Sequence, residues 1–175
     1  QELMAVLSGE DPRAPAGSIT LFGQDIARQS PRRRRKHGLH FVPEERLGRG
    51  AVPAASLAAN TLLTRRETVR ALGWIDVKAT RDLAARLIER FKVRCGGPDA
   101  QAKSLSGGNL QKFIVGREID ARPQVLIVAQ PTWGVDVGAA AQIRADLLAL
   151  RDAGCAVLVV SEELEELFEL SDRLV

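Results

Sequence analysis

Residues 104–112 read Ser-Leu-Ser-Gly-Gly-Asn-Leu-Gln-Lys, a turn rich in serine and glycine that runs directly into an amphipathic pattern. These types and spacings suit phosphate binding. Gly107 and Gly108 carry no side chain to block a ligand, so backbone N–H groups and the Ser106 hydroxyl can point at an anion beside the positive end of a helix dipole. Leu110, Phe113 and Ile114 fall three and four apart, which predicts a helix with one apolar face and leaves Lys112, Arg117 and Glu118 for the others. The helix should end near Ala121-Arg122-Pro123, because the residue before a proline is pushed out of the helical region. A bare Ser-Gly-Gly is also how an ordinary helix cap is written, so the turn takes its meaning from its neighbours.

Those neighbours are specific. Residues 105–112 resemble the signature motif of ATP-binding-cassette (ABC) ATPases, in the form with Asn109 that sugar and nucleoside importers carry. About a dozen residues on, Val125-Leu126-Ile127-Val128 leads into residues 129–138, Ala-Gln-Pro-Thr-Trp-Gly-Val-Asp-Val-Gly, similar to that family's Walker B strand and D-loop. Residues 41–46, Phe-Val-Pro-Glu-Glu-Arg, resemble its Q-loop, with Glu44 in place of the glutamine that helps coordinate magnesium. Acidic side chains near a triphosphate are unfavourable unless metal or Arg46 offsets them. The plainer alternative is a surface loop held by local ion pairs.

A phosphate-loop ATPase needs a Gly-rich loop with Lys for the β- and γ-phosphates, an acid for magnesium, a carboxylate to polarise water and a γ-phosphate sensor. No Gly-x-x-x-x-Gly-Lys-Ser/Thr occurs in the sequence. The resemblance places that loop, Walker A, just before Gln1, so the chain is expected to be a fragment lacking the Walker A strand and loop. Within the chain, Ala129 stands where the family has its metal-holding aspartate. Gln130 stands in place of the catalytic glutamate, and Glu162 in place of the switch histidine. Metal support and water activation would both be missing.

The resemblance also implies a use for such a half. In the family two cassettes dimerise head to tail, each nucleotide lying between the Walker A of one and the signature of the other. Ser106, Gly107, Gly108 and Asn109 remain intact for a partner's site, and Asp136 keeps the D-loop acid that crosses the dimer. Trp133 departs from the expected arginine, which puts a salt bridge across the dimer there in doubt. The chain looks like the second, degenerate cassette of fused importers for nucleosides or simple sugars. ATP and Mg2+ would then be bound mainly through a partner cassette. Other partners would be transmembrane permease subunits and, indirectly, a solute-binding protein, at the cytoplasmic face of the bacterial inner membrane. The alternative is a non-transport ABC protein acting on nucleic acid or the ribosome; the Asn-type signature argues against it, and no nucleic-acid partner is expected.

Composition agrees with a globular protein. Of 175 residues 45% are hydrophobic and 27% charged, enough for a sizeable core. The net charge is +3, and Arg32-Arg33-Arg34-Arg35-Lys36 supplies five of the 25 basic residues. Such a run can meet nucleic acid or anionic lipid. Ser30 as N-cap and Pro31 at the first helical position favour instead a solvated helix. Cys95 and Cys155 sit in no metal-ligand spacing. With no signal peptide and no apolar stretch near the ~18 residues a bilayer requires, the chain reads as cytoplasmic with reduced thiols.

The elements that must hold these residues can be sketched in order. Residues 1–7 suggest a helix with Leu3, Met4 and Leu7 on one face. Residues 17–26 suggest a strand and a Gly turn, and Leu39-His-Phe-Val another strand; the resemblance places both in the family's small antiparallel β subdomain. Residues 54–91 read as helical, broken near Gly73-Trp74, with Leu83, Leu87, Ile88 and Phe91 on one stripe; Gly96-Gly97-Pro98 is a loop. Residues 125–128 and 156–160 fit buried parallel strands, joined by a helix over 139–150 that Gly154 stops. Ser161 should cap an acidic helix over 162–170. The expected fold is α/β: a P-loop NTPase (RecA-like) ABC cassette core, with residues 1–175 forming one partial ATPase domain and about 53–116 its inserted α-helical subdomain.

With three catalytic positions substituted, the chain alone should release phosphate from MgATP far more slowly than the ~1 per second or more of an active enzyme. A phosphate-release assay reaching that turnover would mean that Ala129, Gln130 and Glu162 are misassigned.

Overall fold

The computed structural model describes residues 2–15, 18–65, 67–69 and 73–175. The order is α1 (Glu2–Ser8), β1 (Thr20–Leu21), β2 (Gln24–Asp25), α2 (Pro31–Lys36), β3 (Leu39–Val42), α3 (Leu57–Thr61), α4 (Val77–Arg90), α5 (Gly107–Asp120), β4 (Val125–Ala129), α6 (Val137–Asp152), β5 (Ala156–Val160) and α7 (Leu164–Leu170). Gln1, Gly17 and part of the predicted break before Gly73 lie outside the described residues.

The three apolar runs form one parallel sheet in the order β3-β4-β5, with Leu39 beside Val125 and Val125 beside Ala156. β3 was expected in the small antiparallel subdomain; it belongs to the parallel sheet. Its burial is nearly continuous along the strand, the condition of a strand covered on both faces, where period-2 alternation is not required. Among the described residues the antiparallel sheet is the β1–β2 hairpin, turned by Phe22 (φ 49°) and Gly23 (φ 77°), positive dihedrals that match the strand twist. β5 was expected to be buried, yet its residues are half-buried or exposed. Among the described residues only β4 pairs with it.

Helices α4, α5 and α6 pack in succession, and α5 also lies on β3. The predicted stripe of α4 is real: Leu83, Leu87 and Phe91 share one core with Phe113, Ile114, Leu126, Ile143 and Leu147. α4 and α5 approach so closely that a Cβ on Gly116 would stand 2.4 Å from the Phe91 ring. α6 begins two residues earlier than expected, because the Asp136 carboxylate caps it by accepting from Ala139 N–H at 2.9 Å. α7 begins at Leu164 rather than 162; Ser161 Oγ accepts from Glu163 N–H at 3.1 Å in the preceding turn.

Two polar predictions are overturned. Arg34, in the run read as a solvated helix, is fully buried. Its guanidinium donates to the carbonyls of Val6, Leu7, Ala27 and Gln29 at 2.7–3.0 Å and ties α1 to α2. Arg117 and Glu118, assigned to the polar face of α5, are also buried. Glu118 accepts from Arg117 Nε at 2.7 Å, Thr64 Oγ1 at 2.7 Å and His40 Nδ1 at 2.8 Å, while Arg117 donates onward to the carbonyls of Asn60 and Gly50. An ionised carboxylate only accepts, so His40 must carry its proton on Nδ1. Burial pushes the Glu118 carboxyl up, but the Arg117 charge and the His40 and Thr64 hydrogen bonds outweigh it and lower the pKa from 4.5 to about 2.

A carboxyl whose folded pKa is depressed stabilises the fold above its unfolded value. That contribution should be complete above about pH 4.5 and be lost as the pH falls toward 2. Glu118→Gln leaves Arg117 buried without its counter-charge, which should cost about 3 kcal/mol and flatten this acid limb. Urea unfolding between pH 2 and 7 measures both; an unchanged midpoint would contradict the network.

Candidate functional site

In a parallel sheet the loops after the strands gather at one end, and there the sheet offers its ligand-facing edge. Val42 pairs with Val128 and Ala129 with Val160. Glu44, Gln130 and Glu162 therefore follow the ends of three adjacent strands. Gln130 and Glu162 meet directly, with Glu162 N–H donating to Gln130 Oε1 at 3.3 Å. Gln130 is buried, and its φ of 50° is unusual for a residue with a side chain. Its backbone N–H continues the ladder to the Val160 carbonyl at 2.7 Å. Ala129 offers no ligand atom. Among the described residues no group of three His, Cys, Asp or Glu could hold a metal.

The Ser-Gly-Gly turn packs on the loop after β4, where a Cβ on Gly107 would lie 3.6 Å from the Gly134 carbonyl oxygen. Ser106 is the N-cap of α5 in extended conformation, and its Oγ accepts from Asn109 Nδ2 at 2.9 Å and from Asn109 N–H at 3.4 Å. Asn109 Oδ1 in turn accepts from Arg94 N–H at 2.8 Å, so Asn109 braces the turn. Ser106 and Gly107 are exposed, and a hydroxyl, the first N–H groups of a 14-residue helix and its dipole converge there. An anionic phosphate fits this end of α5. Gly108, predicted to be open for a ligand, is instead buried against the next loop. A Cβ on it would lie 3.2 Å from Asp136 Oδ2 and 3.4 Å from the Ala139 Cβ. Its lack of a side chain serves the packing of α5 against α6. Asp136 is exposed, and its carboxyl is held below the usual range first by the Ala139 N–H.

If a triphosphate lay near Glu44 and Glu45, a metal or Arg46 would have to offset them. The structure turns it the other way: its guanidinium donates to Gln111 Oε1 at 3.2 Å and to the Trp133 carbonyl, and lies 5.9 Å from the Trp133 ring centroid. Glu44 and Glu45 are exposed. Buried Gln111 bonds the Pro131 carbonyl at 3.0 Å. Arg46 and Gln111 thus bind the loop after β3, the signature helix and the loop after β4 into one unit. Sequence reasoning missed this role for Gln111. One signal was present: Leu110, Phe113, Ile114, Val115 and Ile119 cover more than one face, as in a helix buried nearly all round.

No protein-family model matches the chain. Solved structures match its fold. The dimeric structure of a bacterial ABC transporter cassette superposes with a TM-score of 0.75 at 16% identity, covering 96% of this chain and 72% of that one. A nucleotide-free ATP-binding cassette from an ABC transporter gives 0.73 at 20% identity over 98% and 69%. The architecture is that of an α/β, P-loop ABC ATPase cassette. Among curated proteins the chain is 41% identical over 175 residues to the nucleoside import ATP-binding protein NupA of Lactococcus lactis subsp. cremoris. It is 41% identical over 164 residues to the guanosine import ATP-binding protein NupO of Bacillus subtilis, and 39% over 173 residues to the ribose import ATP-binding protein RbsA of a Chelativorans species. These alignments cover 99%, 93% and 99% of this chain and 34%, 32% and 34% of the relatives. The chain therefore spans about a third of the length of the curated relatives it matches.

Gly108→Asp should destabilise the isolated protein by about 1–3 kcal/mol, since it forces a second carboxylate against Asp136 in a packed contact. Asp136→Asn in the same chain should recover part of that loss. Equal urea midpoints for Gly108→Asp and the parent would show that the turn is as open as its sequence suggests.

Proposed function

We propose that this chain is one cassette of an importer for nucleosides or simple sugars, of the second, C-terminal type. In this reading Ser106, Gly107, Gly108 and Asn109 complete the ATP site of a partner cassette. Its own strand-end site, with Ala129, Gln130 and Glu162, does not hydrolyse. Residues 1–175 act as a single partial cassette, with about 53–116 as its helical subdomain. The observation that carries the proposal is a contrast: an exposed helix end at Ser106 and Gly107 suited to a phosphate, and a strand end where Ala129 and Gln130 stand without a carboxylate. The similarity to nucleoside, guanosine and ribose import proteins supports the cargo class.

ATP hydrolysis on the partner, with its Mg2+, supplies the driving free energy. The Ser106 hydroxyl and the N–H of Gly107 grip the terminal phosphate, while Asn109 keeps Ser106 oriented. Asp136 presents the loop after β4 to the partner. The Arg46–Gln111–Pro131 connection passes the resulting shift to the loop carrying Glu44. Closure of two cassettes would then move permease subunits between inward- and outward-facing states, with a solute-binding protein engaged indirectly. No helix among the described residues is long and apolar enough to cross a membrane. The reading places the chain peripherally on the cytoplasmic face of a bacterial inner membrane.

In the assembled transporter, Ser106→Ala should lower phosphate release and uptake by roughly 10- to 100-fold, the equivalent of a charge-assisted hydrogen bond of about 1.5–3 kcal/mol. Gln130→Ala in the same half should be nearly silent. Loss of turnover on changing Gln130 but not Ser106 would place hydrolysis at this chain's own site and overturn the complementing role.

A further inference from the structure

The basic run after Ser30 is only partly explained by the fold. Arg34 is consumed by backbone carbonyls, yet Arg35 and Lys36 at the end of α2, with His37 after it, line a cavity of about 420 Å3. Its other walls are Phe22 from the β1–β2 turn and Arg122 and Gln124 from the connection between α5 and β4. None of the lining residues is acidic. The side chains of Arg35, Lys36 and Arg122 make no hydrogen bond or ion pair with any described residue. Asp120, the nearby carboxylate at the end of α5, is already engaged by Arg65 at 3.0 Å and Arg90 at 2.5 Å.

Three permanent cations converging from two separate elements repel one another by about 1 kcal/mol per close pair even in water. Cations in the last turn of α2 suit its dipole, a benefit of about 0.3–1 kcal/mol each. That does not account for Arg122, which arrives from another helix. Arg122 also adopts a φ of 51°, the left-handed position after a helix where Gly or Asn is the low-cost choice. Arg35 is half-buried rather than extended into water, and burial pushes its proton affinity below the ordinary value, opposed by the charge of Glu118.

We propose that this cavity binds a small phosphate monoester. The phosphate would lie among Arg35, Lys36 and Arg122, with the Gln124 amide and the Phe22 ring against the body it is attached to. A dianion matches three cations better than the single charge of a phosphodiester, and the volume is within the range of small-molecule sites. The site is separate from the signature turn: it lies at the opposite end of α5, ~20 Å away along the helix. His40 lines the same cavity and bonds Glu118, so occupancy would be felt by the helix that carries Ser106. The inference does not depend on the importer reading.

The test is calorimetric titration of the protein with ribose 5-phosphate and with inorganic phosphate at low ionic strength, beside sedimentation with phosphatidylcholine vesicles carrying phosphatidic acid or phosphatidylglycerol. Saturable binding at about millimolar affinity or tighter is expected, weakened at least tenfold by Arg122→Gln and by Lys36→Gln, both at exposed positions, with unfolding midpoints of the variants measured alongside. It should be unchanged by Ser106→Ala. Binding to phosphatidic acid vesicles alone, with the same loss in Arg122→Gln, would assign the site to a monoester headgroup. Equal attraction to phosphatidylglycerol would reduce the patch to general charge and overturn the proposal. So would affinity unaffected by the cavity variants, affinity lost in Ser106→Ala, or no binding of any probe.

Discussion

A single buried carboxylate sets the position of the signature helix. Glu118 is fully enclosed and ionised, and it is satisfied only because Arg117, Thr64 and His40 all reach it. Those partners come from α5 itself, the segment after α3, and β3. Taking a charge out of water is tolerable only with this degree of compensation, so the three pieces can meet in one arrangement. Arg117 extends the constraint by holding the carbonyls of Asn60 and Gly50, and Arg65 reaches its carbonyl from outside. A helix pinned near its C-terminus in this way presents its N-terminus, with Ser106, at a defined place.

The other end of α5 is fixed by small size and by hydrogen bonds. Gly108 lets the turn sit against Asp136, and Asn109 holds the Ser106 hydroxyl. Gln111 ties the first turns of the helix to the Pro131 carbonyl while Arg46 completes the link to Trp133. A shift of the loop after β3 therefore moves against both the helix and the loop after β4. The link is built from neutral and singly charged groups. The Trp133 carbonyl and ring both serve Arg46, so that position acts within the chain even though the arginine expected there is absent.

Much of the fold was legible in residue order. The parallel runs at 125–129 and 156–160, the helix between them, the stripe of α4, and the turn into α5 all follow from periodicity and punctuation, which are local properties. So does the vicinity of Gln130 and Glu162 once both runs are placed side by side. The shortfalls have a common origin. β3 was misassigned because a short run such as Leu39-His-Phe-Val carries no information about its neighbour. β5 was taken as buried because an apolar run does not reveal how many strands flank it.

The sequence by itself determined that helices follow 106, 136 and 161 and strands lie at 125–129 and 156–160, to within two residues, and that Ser-Gly-Gly heads α5; these depend on side-chain chemistry and spacing along one chain. Only the tertiary structure decided that Arg34, Arg117 and Glu118 are interior, that Gly108 is a packing glycine, and that Arg46 faces Trp133 rather than Glu44. Charged residues look alike in a sequence whether solvated or enclosed. The difference lies largely in partners distant along the chain, up to 87 positions away, and only a folded chain brings those close enough to offset the cost of burial.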